Sequence, residues 1–210
     1  MKNNQGGFTL VEIAIVLVII GLLLGGVLKG QELITQAKIK NVANDLNGMS
    51  AAVYGYQDRY KKFPGDDNQS VGRWGSTTKD GDGNGSVGTA QTAILDCAST
   101  NKDDESCRFW QHLRLSGFVG GDTATTNAPQ NAAGGVLQAQ NGALGLSGLV
   151  ICSSNLPGKI ANAIDAQFDD GKPNSGQVRG TKTANALGTN TTDTAYTDDG
   201  ATVYVVCRAP

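Results

Sequence analysis

From Phe8 to Leu28 the sequence runs for 21 residues with a single charge, Glu12. About 20 predominantly apolar residues are enough for a helix to cross the hydrocarbon core of a bilayer. The remainder of the chain is polar and contains most of its 29 glycines. Two materials therefore meet in one polypeptide, a membrane segment and a water-exposed domain whose core must be small, turn-rich and largely aliphatic. What precedes the apolar run decides its fate. A secretory signal places a small-residue cleavage site after its apolar stretch, whereas here the polar leader MKNNQGG comes first and ends in Gly6-Gly7. Cleavage after Gly7 would leave the apolar helix on the mature protein. Lys2 favours a cytoplasmic N-terminus under the positive-inside rule, with the bulk of the chain on the far side of the membrane.

The segment GGFTLVEIAIVLVIIGLLL resembles the class III signal of type IV pilins and type II secretion pseudopilins. The resemblance implies cleavage by a prepilin peptidase between Gly7 and Phe8, N-methylation of Phe8, and an assembly role for Glu12. In that family the acidic residue is thought to pair with the N-terminal amine of a neighbouring subunit. A carboxylate at the bilayer centre costs about 2.5–3.5 kcal/mol on insertion scales, so such residues tend to be functional. A Glu near the helix end that snorkels to the interface is the plainer alternative. The resemblance further implies an inner-membrane, single-pass precursor that partners identical or related pilin subunits and an assembly platform. Its destination is an extracellular pilus or, alternatively, a periplasmic pseudopilus. A minor tip pilin with a binding role is a further alternative.

Gly21-x-x-x-Gly25 and Gly26-x-x-x-Gly30 have the small-xxx-small spacing that lets helices approach closely. Gly25-Gly26 also offers a flexible point where many pilins carry a Pro. Beyond Gly30, apolar residues fall in steps of three and four: Ile39, Val42, Leu46, Met49, Val53, Tyr56, Tyr60 and Phe63. This is one helical stripe, ended by Pro64-Gly65. A helix from Phe8 to Lys62 would be about 80 Å long at 1.5 Å per residue. The stripe fits packing on a local sheet, with a coiled coil as the competing reading.

The expected organisation is a leader at 1–7, a transmembrane or filament-core helix at 8–30, its amphipathic half at 31–63 and an α+β head at 64–210. The head should hold a small antiparallel sheet with long Gly-rich loops around 120–135 and 181–199. Helices are expected at Cys107–Leu115 and Lys159–Phe168, the latter with Ile160 and Ile164 inward. Strands are expected at Leu144–Cys152 and Ala201–Arg208. The four cysteines, Cys97, Cys107, Cys152 and Cys207, form no CxxC pair. An even count in an exported domain favours two disulfides. The pairing Cys97–Cys107 would close a short polar loop, and Cys152–Cys207 would tie a middle strand to the last one.

Asp80-Gly-Asp82-Gly-Asn84-Gly85 matches the opening of an oxygen-rich calcium loop, which makes Asp80, Asp82 and Asn84 candidate ligands for a structural calcium ion. The twelfth position is Gln91 rather than a bidentate Glu, and a solvated Asp/Gly turn competes with the ion site. Asp165 and Asp169, followed by the turn DGKPNSG, offer a second ion site or an Asx-type turn. FPGDDN, DGDGNG, FWQHL and IDAQFDDGKPNSG, in that order, resemble a set of bacterial pilin-like proteins. His112 is the sole histidine, with no nucleophile motif beside it, and is expected on a helix whose Phe109, Trp110 and Leu113 fill the core. Trp74 and Trp110 read as buried anchors. With 17 basic and 19 acidic residues, the chain lacks a nucleic-acid footprint, and no catalytic constellation points to an enzyme.

Overall fold

The computed structural model describes residues 9–182, 187–188 and 192–210. Gly7 and Phe8 lie outside the described residues. The chain divides into two compact units, residues 1–37 and 38–210. Helix α1, Leu10–Tyr60, begins in the first and continues into the second. Within the first unit every residue from Thr9 to Lys29 is exposed, including all the large aliphatic side chains from Leu10 to Leu28. The helix is long and apolar enough to cross a membrane. It runs without interruption through Gly21, Gly25, Gly26 and Gly30.

In the second unit α1 turns amphipathic. Val42, Leu46, Val53 and Tyr56 are buried, and Ile39, Met49, Tyr60 and Phe63 pack against the same core. The predicted stripe is thus the face that the head covers, and the local-sheet reading holds over the coiled coil. The helix stops at Tyr60 rather than reaching Lys62. Lys61 takes a left-handed φ of 56° and its N–H donates to Gln57 O at 2.8 Å, an αL cap that satisfies an orphan carbonyl.

A short α2, Ser70–Trp74, and a 3-10 turn, Gly75–Thr77, follow. Helix α3 spans Glu105–Leu115 and α4 spans Gly158–Phe168. The sheet is antiparallel with order β1-β2-β4-β3, comprising β1 (Leu137–Ala143), β2 (Leu146–Pro157), β3 (Val178–Thr181) and β4 (Val203–Arg208). One face shares a core with α1, α3 and α4 through Leu137, Ala139, Ile151, Leu156, Tyr204 and Val206. Each such large side chain, fully buried, contributes about 1.5–3 kcal/mol. The other face holds Val150, Val205 and the Cys152–Cys207 disulfide. Cys152 and Cys207 are directly opposite in the β2–β4 register. The second disulfide joins Cys97 to Cys107, fastening the loop before α3 to its first turn.

Within the sheet, β1, β2 and β3 depart most from the sequence expectation. The strand expected from Leu144 starts at Leu146, because Leu144 and Gly145 both adopt positive φ in a two-residue hairpin loop. The strand then continues to Pro157. Strand β3 sits in a polar stretch too short to stand out. Strand β1 reads LQAQNGA and lacks any β-branched residue. Its buried Gln138 and Gln140 serve the backbone of the neighbouring loop: Leu95 N–H donates to Gln138 Oε1 at 2.6 Å, and Gln140 Nε2 donates to Gln91 O at 3.2 Å. The strand buries polar side chains because a loop without regular partners needs them.

Candidate functional site

Two places concentrate chemistry. The first is the start of α1. Thr9 and Glu12 close a reciprocal capping box. Thr9 N–H and Thr9 Oγ1 both donate to Glu12 Oε2, at 2.8 and 2.7 Å, and Glu12 N–H donates to Thr9 Oγ1 at 3.3 Å. The signal was present as Thr-x-x-Glu at the mouth of an apolar run. This pairing satisfies the carboxylate of Glu12 within its own chain and leaves the apolar surface beyond it bare.

The second is an acidic cleft in the head, assembled from three segments. Pro64 to Asp67 is buried immediately after α1. Gly65 has φ of 89°, and a Cβ there would stand 2.4 Å from Glu105 O, so only glycine lets this turn touch the first turn of α3. At Gly81 a Cβ would lie 2.3 Å from the Asp66 carbonyl carbon, and Gly81 N–H donates to Asp67 O at 2.9 Å. These two close approaches bring Asp66, Asp82 and Glu105 together, with one oxygen from each within 4.8 Å of the others. Glu105 receives Asp82 N–H and Gly88 N–H, both at 2.8 Å, on its two oxygens. Asp66 Oδ2 receives Gly85 N–H at 2.9 Å. Asp66 is 1% exposed, yet its Oδ1 has no hydrogen-bond partner. Burial holds the Asp66 carboxyl above the ordinary carboxylate range, and the Asp82 and Glu105 carboxylates add to that rise.

The predicted ligands are distributed differently. Asp82 faces this cleft. Asp80 lines the same opening but is not grouped with the three carboxylates, and its Oδ1 accepts from Ser70 Oγ at 2.9 Å and Val71 N–H at 2.7 Å. The Val71 bond holds its carboxyl below the usual value. Asn84 bridges within the loop, donating to Asp82 Oδ2 at 2.7 Å and accepting from Ser86 N–H at 2.7 Å. Asp66 belongs to the FPGDDN segment singled out in the sequence. Glu105 carried no local signal, since its role comes from a loop 17 to 23 residues earlier folding over it.

Behind the cleft lies a polar network. Asp67 is fully buried and accepts from Tyr56 Oη at 2.6 Å, from Gln69 N–H at 2.9 Å, and from Arg73. Arg73 also lies over the Tyr60 ring, 4.6 Å from its centroid. His112 is fully buried beside Phe109, Trp110 and Leu113, as the sequence predicts. Trp110 is a buried anchor, and Trp74 is half-buried against the same core.

In the second acidic turn one oxygen from each of Asp165, Asp169 and Asp170 lies within 4.8 Å of the others, and each carboxylate also accepts bonds from nearby donors. Asp165 accepts from Gly171 N–H at 2.9 Å and Tyr196 Oη at 2.6 Å. Asp169 accepts from Gln177 and Val178 N–H. Asp170 accepts from Lys172 N–H at 3.0 Å and Ser175 Oγ at 2.7 Å. These bonds shape the turn between α4 and β3.

Residues 2–28 match the family model described as the prokaryotic N-terminal methylation motif. That segment is the class III prepilin signal of type IV pilins and pseudopilins, and the chain carries it in front of an α+β head. A search of curated proteins and of solved structures returns no match to the chain.

Proposed function

From the class III prepilin signal at residues 2–28, we propose that this protein is the precursor of a structural subunit of a type IV pilus-like filament. The observation that carries this reading is the bare apolar helix that continues from the signal. From Leu10 to Leu28 its large aliphatic side chains are all exposed, which a chain in water does not sustain. A lipid bilayer before assembly, and neighbouring copies of the same helix after it, are the two environments that cover such a surface. Prepilin peptidase cuts between Gly7 and Phe8 and methylates Phe8. An inner-membrane assembly platform then extracts the subunit, and Glu12 exchanges its bonds to Thr9 for the N-terminal amine of a neighbour. The head has a structural role on the outside of the filament.

The test is the N-terminal mass of the protein in sheared surface material and in membranes. Methylated Phe8 in the sheared fraction is the expected result. Methylated Phe8 confined to membranes would assign the chain to a periplasmic pseudopilus instead, and intact Met1 in both fractions would overturn the reading.

A further inference from the structure

We propose that Asp66, Asp82 and Glu105 form a calcium site that staples three segments of the head: the turn after α1, the DGDGNG loop and the first turn of α3. One carboxylate oxygen from each lies within 4.8 Å of the other two. Two oxygens bound to one Ca²⁺, at about 2.3–2.6 Å each, can be no more than about 5 Å apart. The cluster therefore fits a single coordination shell.

A second observation points to a ligand independently of the clustering. Asp66 is 1% exposed, one of its oxygens accepts Gly85 N–H, and the other, Oδ1, is buried without a hydrogen-bond partner. Buried carboxylate oxygens are normally satisfied. Among the described residues, none of the three carboxylates is paired with a Lys or Arg. The other ligands are held in place by the backbone: Asp82 N–H and Gly88 N–H fix both oxygens of Glu105, and Asn84 N–H donates to Asp82 Oδ1 at 3.0 Å. The cleft opens to solvent past Asp82, Asn84 and Gly88, leaving room for water to complete the shell. An all-oxygen, carboxylate-rich donor set suits a hard cation. Ca²⁺ tolerates irregular protein cages, whereas Mg²⁺ retains most of its waters.

The site differs from what the loop sequence alone suggests. Asp80 lines the same opening, but its Oδ1 is bonded to Ser70 and Val71, while Asp66 and Glu105 supply the buried ligands. Proper folding around the ion does not require filament assembly, so the site stands or falls separately from the proposed function.

The experiment uses the full-length protein in detergent micelles, stripped with EDTA and titrated with CaCl₂. Binding is read by calorimetry and stability by thermal circular dichroism. One ion per chain and a rise in Tm of about 5 °C at saturating calcium are expected. Asp66→Asn and Asp82→Asn each weaken binding at least tenfold and remove most of the Tm rise, while Asp80→Asn keeps both. Asp82 is exposed, so Asp82→Asn decides the matter if Asp66→Asn fails to fold. Absence of any calcium-dependent Tm rise in the wild type would overturn the proposal. So would a rise that survives Asp82→Asn unchanged or disappears in Asp80→Asn.

Discussion

His112 Nδ1 accepts the backbone N–H of Gly65 at 3.0 Å, across 47 residues of sequence. The other ring nitrogen, Nε2, faces Lys79 O at 3.2 Å. One nitrogen must accept and the other donate, so the neutral Nε2–H tautomer is the form that fits. Protonating Nδ1 would turn a donor against the Gly65 N–H. Burial is the main cause that lowers the pKa of His112, to about 4. A base whose folded pKa is depressed contributes its full stability above its unfolded value of about 6.5 and loses it as pH falls toward 4. The total is about 3 kcal/mol. Urea denaturation of wild type and His112→Asn between pH 4 and 7 tests this. The wild type should lose about 1 kcal/mol more per pH unit than the variant within that window; parallel profiles would contradict it.

Asp165 titrates with the opposite sign. Burial raises its pKa to about 6, against stabilising bonds from Tyr196 and Gly171. Such a carboxyl is tolerated when protonated, and its unfavourable contribution develops as pH rises from about 4 to 6. Asp165→Asn should therefore gain on the wild type by about 2–3 kcal/mol over that rise, measured by the same denaturation series. A constant difference between the two proteins from pH 4 to 7 would refute the assignment.

Tyr56 links α1 to the buried Asp67 carboxylate at 2.6 Å. Tyr56→Phe keeps the ring's contacts and removes only the hydroxyl, leaving a buried charged acceptor short of a partner. The expected cost is about 1.5–3 kcal/mol, seen in the urea midpoint. A loss below about 0.5 kcal/mol would mean that Arg73 and Gln69 carry Asp67 without help.

The two disulfides should differ in worth. Cys97–Cys107 closes a separation of 10 residues and Cys152–Cys207 one of 55. Loop-closure entropy grows with the length closed, so paired Cys→Ala substitution should cost about 3 kcal/mol at the first and about 4 kcal/mol at the second. The comparison is of denaturation midpoints under oxidising conditions, and a reversed order would show that native packing rather than chain entropy dominates.

At the start of α1, Thr9→Ala removes the hydroxyl that receives Glu12 N–H and donates to Glu12 Oε2. Loss of such a cap costs about 1 kcal/mol, so the Glu12 amide should exchange with solvent about fivefold faster in micelles. Unchanged exchange would show that the remaining N–H bond from Thr9 suffices.

The apolar run and the amphipathic stripe were legible in the sequence because each is a local pattern that one helix expresses by itself, whereas the helix end was set by the left-handed Lys61 rather than by Pro64-Gly65. The last strand was legible too, through its β-branched residues, as was the burial of His112 among Phe109, Trp110 and Leu113. Strand β1 was not, because Gln138 and Gln140 look like loop residues until a loop's backbone is seen to need them. The acidic cleft was only half legible. Asp80, Asp82 and Asn84 share a motif, but hydrogen bonding divides them, sending Asp80 to Ser70 and Val71. Asp66 and Glu105 meet only because Gly65 and Gly81 allow backbones to approach closer than any side chain permits. Local spacing determines which helices and turns can form. Which carboxylates share one small volume is decided by contacts between segments far apart in the chain, and only the tertiary structure brings those together.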